Sequence, residues 1–185
     1  QSGTPCWHVE GRCDADARIY ALQLSQSGAP TTGESGKEPF VIPVGVGLLS
    51  ADGADLPLQL VGEESAVAAP RSFVLTQPSE SFTFVNVDAE PVPSIWRGFT
   101  APVVLVFDYS NAQLLHLLAN DSDAFNRWEA GQRLAIRLAI QSINDTADAV
   151  SPTALDDSYV AAMRAVLRHP TLDAAFKELV LTLPS

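Results

Sequence analysis

From Arg18 to Gln26 the chain alternates between apolar and polar positions. Tyr20, Leu22 and Leu24 fall on one side of an extended backbone and Ala21, Gln23 and Ser25 on the other, the period of a half-buried strand. Comparable short runs recur through the first half. Cys6 to Glu10 predicts a strand ahead of a turn at Gly11 to Asp16. Phe40 to Leu49 predicts another, followed by a turn at Ser50 to Gly53, where the Asp-Gly pair favours a tight reversal. Leu56 to Val61, Arg71 to Leu75, Ser81 to Val87 (Phe82 and Phe84 on one face), Ile95 to Phe99 and Val103 to Phe107 complete the set, and Ser27 to Glu38, rich in Gly, Ser and Thr, predicts a surface loop. About seven to eight short strands at regular spacing predict a β-sandwich, Ig-like in layout. Pro43, Pro57, Pro93 and Pro102 cannot donate to a ladder, so strand ends, edges or bends are expected there. Val103 to Phe107 is apolar on both faces, which predicts a buried strand covered by the helices that follow.

The period then changes. Asn111 to Leu118 places Leu114, Leu117 and Leu118 on one side of a short helix. Asp121, Ser122 and Asp123 supply capping chemistry for a long helix over Asp123 to Asn144, within which Glu129 precedes Arg133 by one turn. A third helix opens at Ser151-Pro152 and ends near His169-Pro170, and a fourth covers Leu172 to Leu181. Phe125 and Trp128, one turn apart, are expected in the core. Within Leu134 to Ile140 only Arg137 is polar, so the long helix calls for neighbours on at least two sides, more than four helices supply. The helical part therefore reads as a truncated superhelix. The expected organisation is a sandwich domain over 1–108 and the first helices of a larger helical domain over 109–185.

Composition adjusts this picture in three places. A formal net charge of −11 repels phosphate backbones and anionic lipid heads, so nucleic-acid and membrane-surface partners are not expected. The apolar runs at Val41 to Leu49 and Val103 to Phe107 are too short to span a bilayer. Cys6 and Cys13 are the two cysteines. A bridge across the first hairpin is conceivable, and a pair of ordinary thiols in a reducing compartment is the plainer reading. The chain opens on Gln1 and its one methionine is Met163, which suggests a chain processed or cut from something larger.

Converging reactive groups are hard to find. His8, followed by Val9 and Glu10, has no second histidine at zinc-helix spacing, and His8, His116 and His169 sit in different predicted elements. No Gly-x-Ser-x-Gly elbow and no phosphate loop occurs. Gly45 and Gly47 inside a strand mark a close backbone approach. Asp121 and Asp123 fit helix capping better than a calcium loop, and Asp156 and Asp157 fit first-turn charges better than a catalytic pair. No catalytic, cofactor-binding or metal-ligating residue is assigned.

Several stretches carry a resemblance. Gln1-Ser2-Gly3-Thr4-Pro5, Tyr20-Ala21-Leu22-Gln23-Leu24-Ser25-Gln26, Pro39 with Ile42-Pro43, and the Asp52-Gly53 turn are four of them. Pro91-Val92-Pro93-Ser94, Arg97-Gly98-Phe99 and Ala101-Pro102-Val103 follow. Asp121-Ser122-Asp123 leads into Phe125-Asn126-Arg127-Trp128-Glu129-Ala130 with Gln132, and Arg164-Ala165-Val166-Leu167 and Leu181-Thr182-Leu183-Pro184-Ser185 close the series. In these the chain resembles the bacterial aminopeptidase N family of zinc metallopeptidases (gluzincins), in the stretch just after the catalytic domain. The resemblance implies four domains in the parent, with zinc, its ligands and the catalytic residues in the second, and this chain covering the third and the start of the fourth. It implies a parent that releases N-terminal residues from peptides in the bacterial cytoplasm. Other domains of the same polypeptide are then the expected partners, peptide substrate belongs to the parent alone, and no cofactor is expected in this segment. Self-association through uncovered helix surface is expected of the segment by itself. A free-standing Ig-like adhesion module is the alternative. A small metalloenzyme built on the scattered histidines is a third reading.

Overall fold

Strands and helices follow one another along residues 4–28, 38–145 and 157–182, which this computed structural model describes. They are β1 (Cys6–Asp14), β2 (Ile19–Ser27), β3 (Ile42–Leu49), β4 (Arg71–Leu75), β5 (Ser79–Val85), β6 (Val92–Ile95), β7 (Val104–Val106), α1 (Asn111–Asn120), α2 (Ala124–Asp145), α3 (Asp157–Arg168) and α4 (Ala174–Leu181). The chain divides into two compact units, Gln1–Asp108 and Tyr109–Ser185.

The first unit is a sandwich of a four-stranded sheet, ordered β5-β2-β1-β7, and a three-stranded sheet, ordered β4-β3-β6. β2 and the first half of β1 alternate, and the apolar half of that alternation leaves water against the other sheet. Trp7, Leu22, Leu24 and Phe84 of the first sheet and Val44, Val46 and Leu48 of the second are fully buried. Across the gap the Phe73 ring meets Phe82 at 4.2 Å, and Trp7 meets Trp96 at 5.9 Å. The three-stranded sheet is antiparallel; in the four-stranded one β7 alone pairs parallel, to β1.

Four local expectations change. The first hairpin does not turn at Gly11: β1 continues to Asp14, paired residue for residue with β2, and the reversal falls on Ala15 to Arg18. A Cβ at Gly11 would stand 2.2 Å from the Tyr20 hydroxyl oxygen, so this glycine makes room for a ring. Leu56 to Val61 forms no strand; Leu58 and Leu60 make isolated bridges to Val67 and Phe84. Ile95 ends β6 instead of starting a strand, and Arg97–Phe99 is a single 3-10 turn. Finally, β7 is an edge strand whose Val104 and Val106 are exposed.

In the second unit α1 opens with a capping box. The Ser110 side chain accepts from the Gln113 amide while the Gln113 side chain accepts from the Ser110 amide. Asp123 accepts from the Asn126 amide at 2.9 Å and starts α2, and Asp173 does the same for α4 through Phe176. Leu114, Leu117, Leu118, Leu134, Val166 and Val180 form the core. Gly131 lets α2 approach Leu118, whose Cδ1 would lie 3.2 Å from a Cβ there. Phe125 and Trp128 are half-buried and meet at a tilt, 5.7 Å between ring centroids, because the helix turns Arg127, Ala130 and Leu134 inward instead. Ile136, Ile140 and Ile143 of α2 stand exposed at spacings of four and three. The predicted opening of the third helix at Ser151-Pro152, with Asp156, lies outside the described residues; Asp157 is the first residue of α3 and carries its first-turn charge.

Two outcomes follow. Leu22→Ala removes a fully buried side chain and is expected to cost about 2–5 kcal/mol by urea denaturation. Hydrogen bonds from Arg71, at 2.6 Å to Oε2, and from the Leu60 amide hold the Glu63 carboxyl down from 4.5 to about 2. A depressed carboxylate stabilises the fold above its unfolded pKa and loses that contribution as pH falls toward the folded one. The wild-type urea midpoint should therefore drop between pH 4.5 and about 2, and Glu63→Gln should flatten that drop.

Candidate functional site

The most constrained backbone in the sandwich follows β6. Trp96 sits at φ 61°, Gly98 at φ 72° and Phe99 at φ 47°. Left-handed conformations at non-glycine residues cost of order 1–3 kcal/mol each and persist where the surroundings impose them. Here they are imposed from both sides. The Trp96 ring is buried against Trp7, and the Arg97 side chain folds back across the outer face of β3, only 3% exposed. Its Nε donates to Ser94 Oγ at 2.8 Å and its Nη2 pairs with Asp55 Oδ1 at 2.7 Å. Thr100 Oγ1 donates to the Pro43 carbonyl at 3.1 Å.

Room for Arg97 comes from Gly45 and Gly47. A Cβ at position 45 would lie 2.7 Å from the Arg97 carbonyl oxygen, and one at 47 would lie 2.3 Å from its Cζ. The close approach expected of this glycine pair is thus to a side chain and backbone of the same unit. Asp55 and Ser94 engage the guanidinium, so the arrangement fixes the turn. Sequence reasoning missed Arg97 in this role. The available signal was two glycines at strand period, which pointed to an approach without naming what approaches.

The other residues weighed from sequence stay apart. Cys6 and Cys13 are both free and share β1. Being seven positions apart, they point to opposite faces roughly 23 Å from each other at ~3.3 Å per residue, beyond the reach of any disulfide. Cys6 Sγ lies 3.8 Å from His8 Nε2, while burial and the nearby Glu90 and Asp14 charges push the Cys13 thiol up. His116 is on α1, and His169 follows α3 beside Thr171. Asp121 accepts from the Asp123 amide at 2.9 Å, and its own carbonyl accepts from Arg127 Nε at 2.9 Å, so both aspartates build the α1–α2 corner. Burial lowers the Arg127 pKa and the Asp121 charge partly opposes this. Arg133 lies over the Tyr109 ring, 5.3 Å from its centroid. Among the described residues no group of three or more His, Cys, Asp or Glu side chains is placed to hold a metal.

Residues 3–108 match DUF3458, a domain of unknown function with an Ig-like fold, and residues 111–185 match its C-terminal companion, described as ARM repeats. The chain is 34% identical over its whole length to aminopeptidase N of Escherichia coli, 33% to that of Haemophilus influenzae and 36% to that of Caulobacter vibrioides. It spans about a fifth of the length of these curated relatives, 20–21%. Among solved structures it superposes over its full length on 19% of Legionella pneumophila aminopeptidase A, crystallised with aspartic acid, with a TM-score of 0.77 and 28% identity.

Gly45→Ala meets a backbone carbonyl that no rotamer change can move, and overpacking of this kind should cost about 1–3 kcal/mol by chemical denaturation. Mild oxidation of dilute protein should leave both thiols titratable and the non-reducing intact mass unchanged. A loss of two mass units would contradict the strand register.

Proposed function

The chain belongs to the DUF3458 family, an Ig-like sandwich followed by ARM-type helices, and from that premise we propose that it serves as the non-catalytic scaffold of a bacterial aminopeptidase N. The observation that carries this reading is the alignment of both units, end to end, with one continuous fifth of aminopeptidase N at 33–36% identity. A free-standing adhesion module has no reason to keep both. The sandwich supplies a rigid body between the peptidase portion and the helical array, and the helices begin that array. Zinc, its ligands and the attack on the peptide bond belong to the remainder of the polypeptide. That remainder releases N-terminal residues from peptides in the cytoplasm, where Cys6 and Cys13 remain reduced.

The helical unit supports the scaffold role directly. Repeat arrays bury each repeat against its neighbours, so a short stack exposes an apolar flank. Ile136 and Ile140 of α2, Leu167 of α3 and Leu179 of α4 are exposed large apolar side chains.

A fluorogenic aminopeptidase assay on this chain, with zinc added, should show no turnover above buffer; metal-dependent turnover would overturn the scaffold reading. The chain by itself should self-associate with rising concentration by light scattering, and Ile140→Glu should shift it toward monomer. A wild-type chain that stays monomeric at high concentration would count against an uncovered helical flank.

A further inference from the structure

Asp52-Gly53 is the one Asp-Gly pair in the 185 residues, and no Asn-Gly pair occurs. Such a pair carries its own chemistry. The Gly53 nitrogen can attack Cγ of the protonated Asp52 carboxyl, forming a C–N bond while its proton and the carboxyl hydroxyl leave as water. The five-membered succinimide then takes up one water at either carbonyl, returning aspartate or giving isoaspartate, so no oxidant or other reactant is needed. Glycine is the most permissive follower, because no side chain crowds the attacking nitrogen. In the structure the pair lies in an exposed turn after β3, and both reacting groups are engaged there. The Gly53 amide donates to the Ser50 carbonyl at 2.9 Å, with Gly53 at φ 86°. The Ser50 hydroxyl donates to Asp52 Oδ1, and the Ala54 carbonyl, 3.0 Å away, is its other acceptor. The Ser50 amide closes the turn on the Ala54 carbonyl at 2.9 Å.

We propose that Asp52-Gly53 is a latent modification site, an isomerising pair that Ser50 restrains. Attack needs the Gly53 N–H released from the Ser50 carbonyl and the Asp52 carboxyl released from the Ser50 hydroxyl, so reaction runs through opening of the turn. Ser50 supplies both restraints, one from its backbone and one from its side chain. The position makes the restraint consequential. Isoaspartate passes the chain through the side-chain carbon and so adds one backbone methylene at 52. That extra length falls inside the segment closed by the Leu49–Asp55 bridge and by the Leu56 amide, which donates to the Leu48 carbonyl at 2.8 Å. Asp55 is the counter-ion of Arg97, at 2.7 Å. Displacing Asp55 weakens the pairing of a guanidinium that is only 3% exposed, where loss of charge compensation is costly. The chemistry of a surface turn is thereby coupled to the Arg97 turn of the same sandwich.

The test ages the full-length protein that contains this segment for weeks at neutral pH and counts isoaspartate at position 52 by peptide mapping. Folded wild type should isomerise about tenfold more slowly than the same protein held unfolded in urea, because the turn opens rarely. Ser50→Ala keeps the backbone restraint and removes the hydroxyl. When folded it should isomerise about fivefold faster than wild type, the factor equivalent to roughly 1 kcal/mol for one hydrogen bond, and in urea the two rates should coincide. Ser50→Thr restores a hydroxyl and should return to the wild-type rate. Equal rates for folded and unfolded wild type would overturn the proposal, and this comparison decides even if the alanine variant fails to fold. A folded Ser50→Ala protein that ages no faster than wild type would overturn it as well. The isomerised fraction should unfold at a lower urea midpoint than the unmodified one; an unchanged midpoint would refute the coupling to Arg97.

Discussion

Two sheets that are each apolar on a single face have one way to remove that face from water, which is to meet. Trp7, Leu22, Leu24 and Phe84 on one side and Val44, Val46 and Leu48 on the other do so with almost no exposed area. At about 25 cal/mol per Å2 of apolar surface this burial is the dominant favourable term in the unit. It also fixes register: a slip of one residue in β2 or β3 would turn the buried set outward. Every other feature of the sandwich is arranged on that fixed frame.

The Arg97 turn shows how the frame is used. The left-handed backbone at Trp96 and Phe99 is unfavourable in isolation. It holds because the Trp96 ring is trapped against Trp7 and the guanidinium is trapped over Gly45 and Gly47, with Asp55 supplying the opposite charge. Burying an unpaired guanidinium would cost several kcal/mol, so Asp55 and Ser94 belong to the turn as much as Arg97 does. The result is a tightly held turn. Rigidity and shape are what a scaffold between moving or chemically active parts has to provide.

The helical unit obeys a different rule. Its capping residues, Ser110, Asp123 and Asp173, set where α1, α2 and α4 begin, and its buried stripe at Leu114, Leu117, Leu118 and Leu134 brings α1 and α2 together. The outer stripe of α2 at Ile136 and Ile140 is as apolar as a core stripe and is exposed. A repeat that presents such a flank is shaped for stacking, in keeping with the ARM-type match over residues 111–185.

Much of this was written in the chain. The alternation at Tyr20, Leu22 and Leu24, the Asp52-Gly53 turn, the capping aspartates and the leucine stripe of α1 act through neighbours a few residues away, and local chemistry suffices to read them. The sandwich, the change to helix near position 110 and the family resemblance followed from such signals. What the sequence could not decide were questions answered by distant partners. Gly11 reads as a turn until Tyr20 is seen to fill its space, and Val103 to Phe107 reads as a buried strand until the sheet order leaves β7 at an edge. Arg97 reads as a surface charge until Gly45, Gly47, Asp55 and Ser94 gather around it from three separate segments. Period and propensity report on the backbone's own vicinity; which face is covered, and by what, depends on contacts that exist only once the chain has closed on itself.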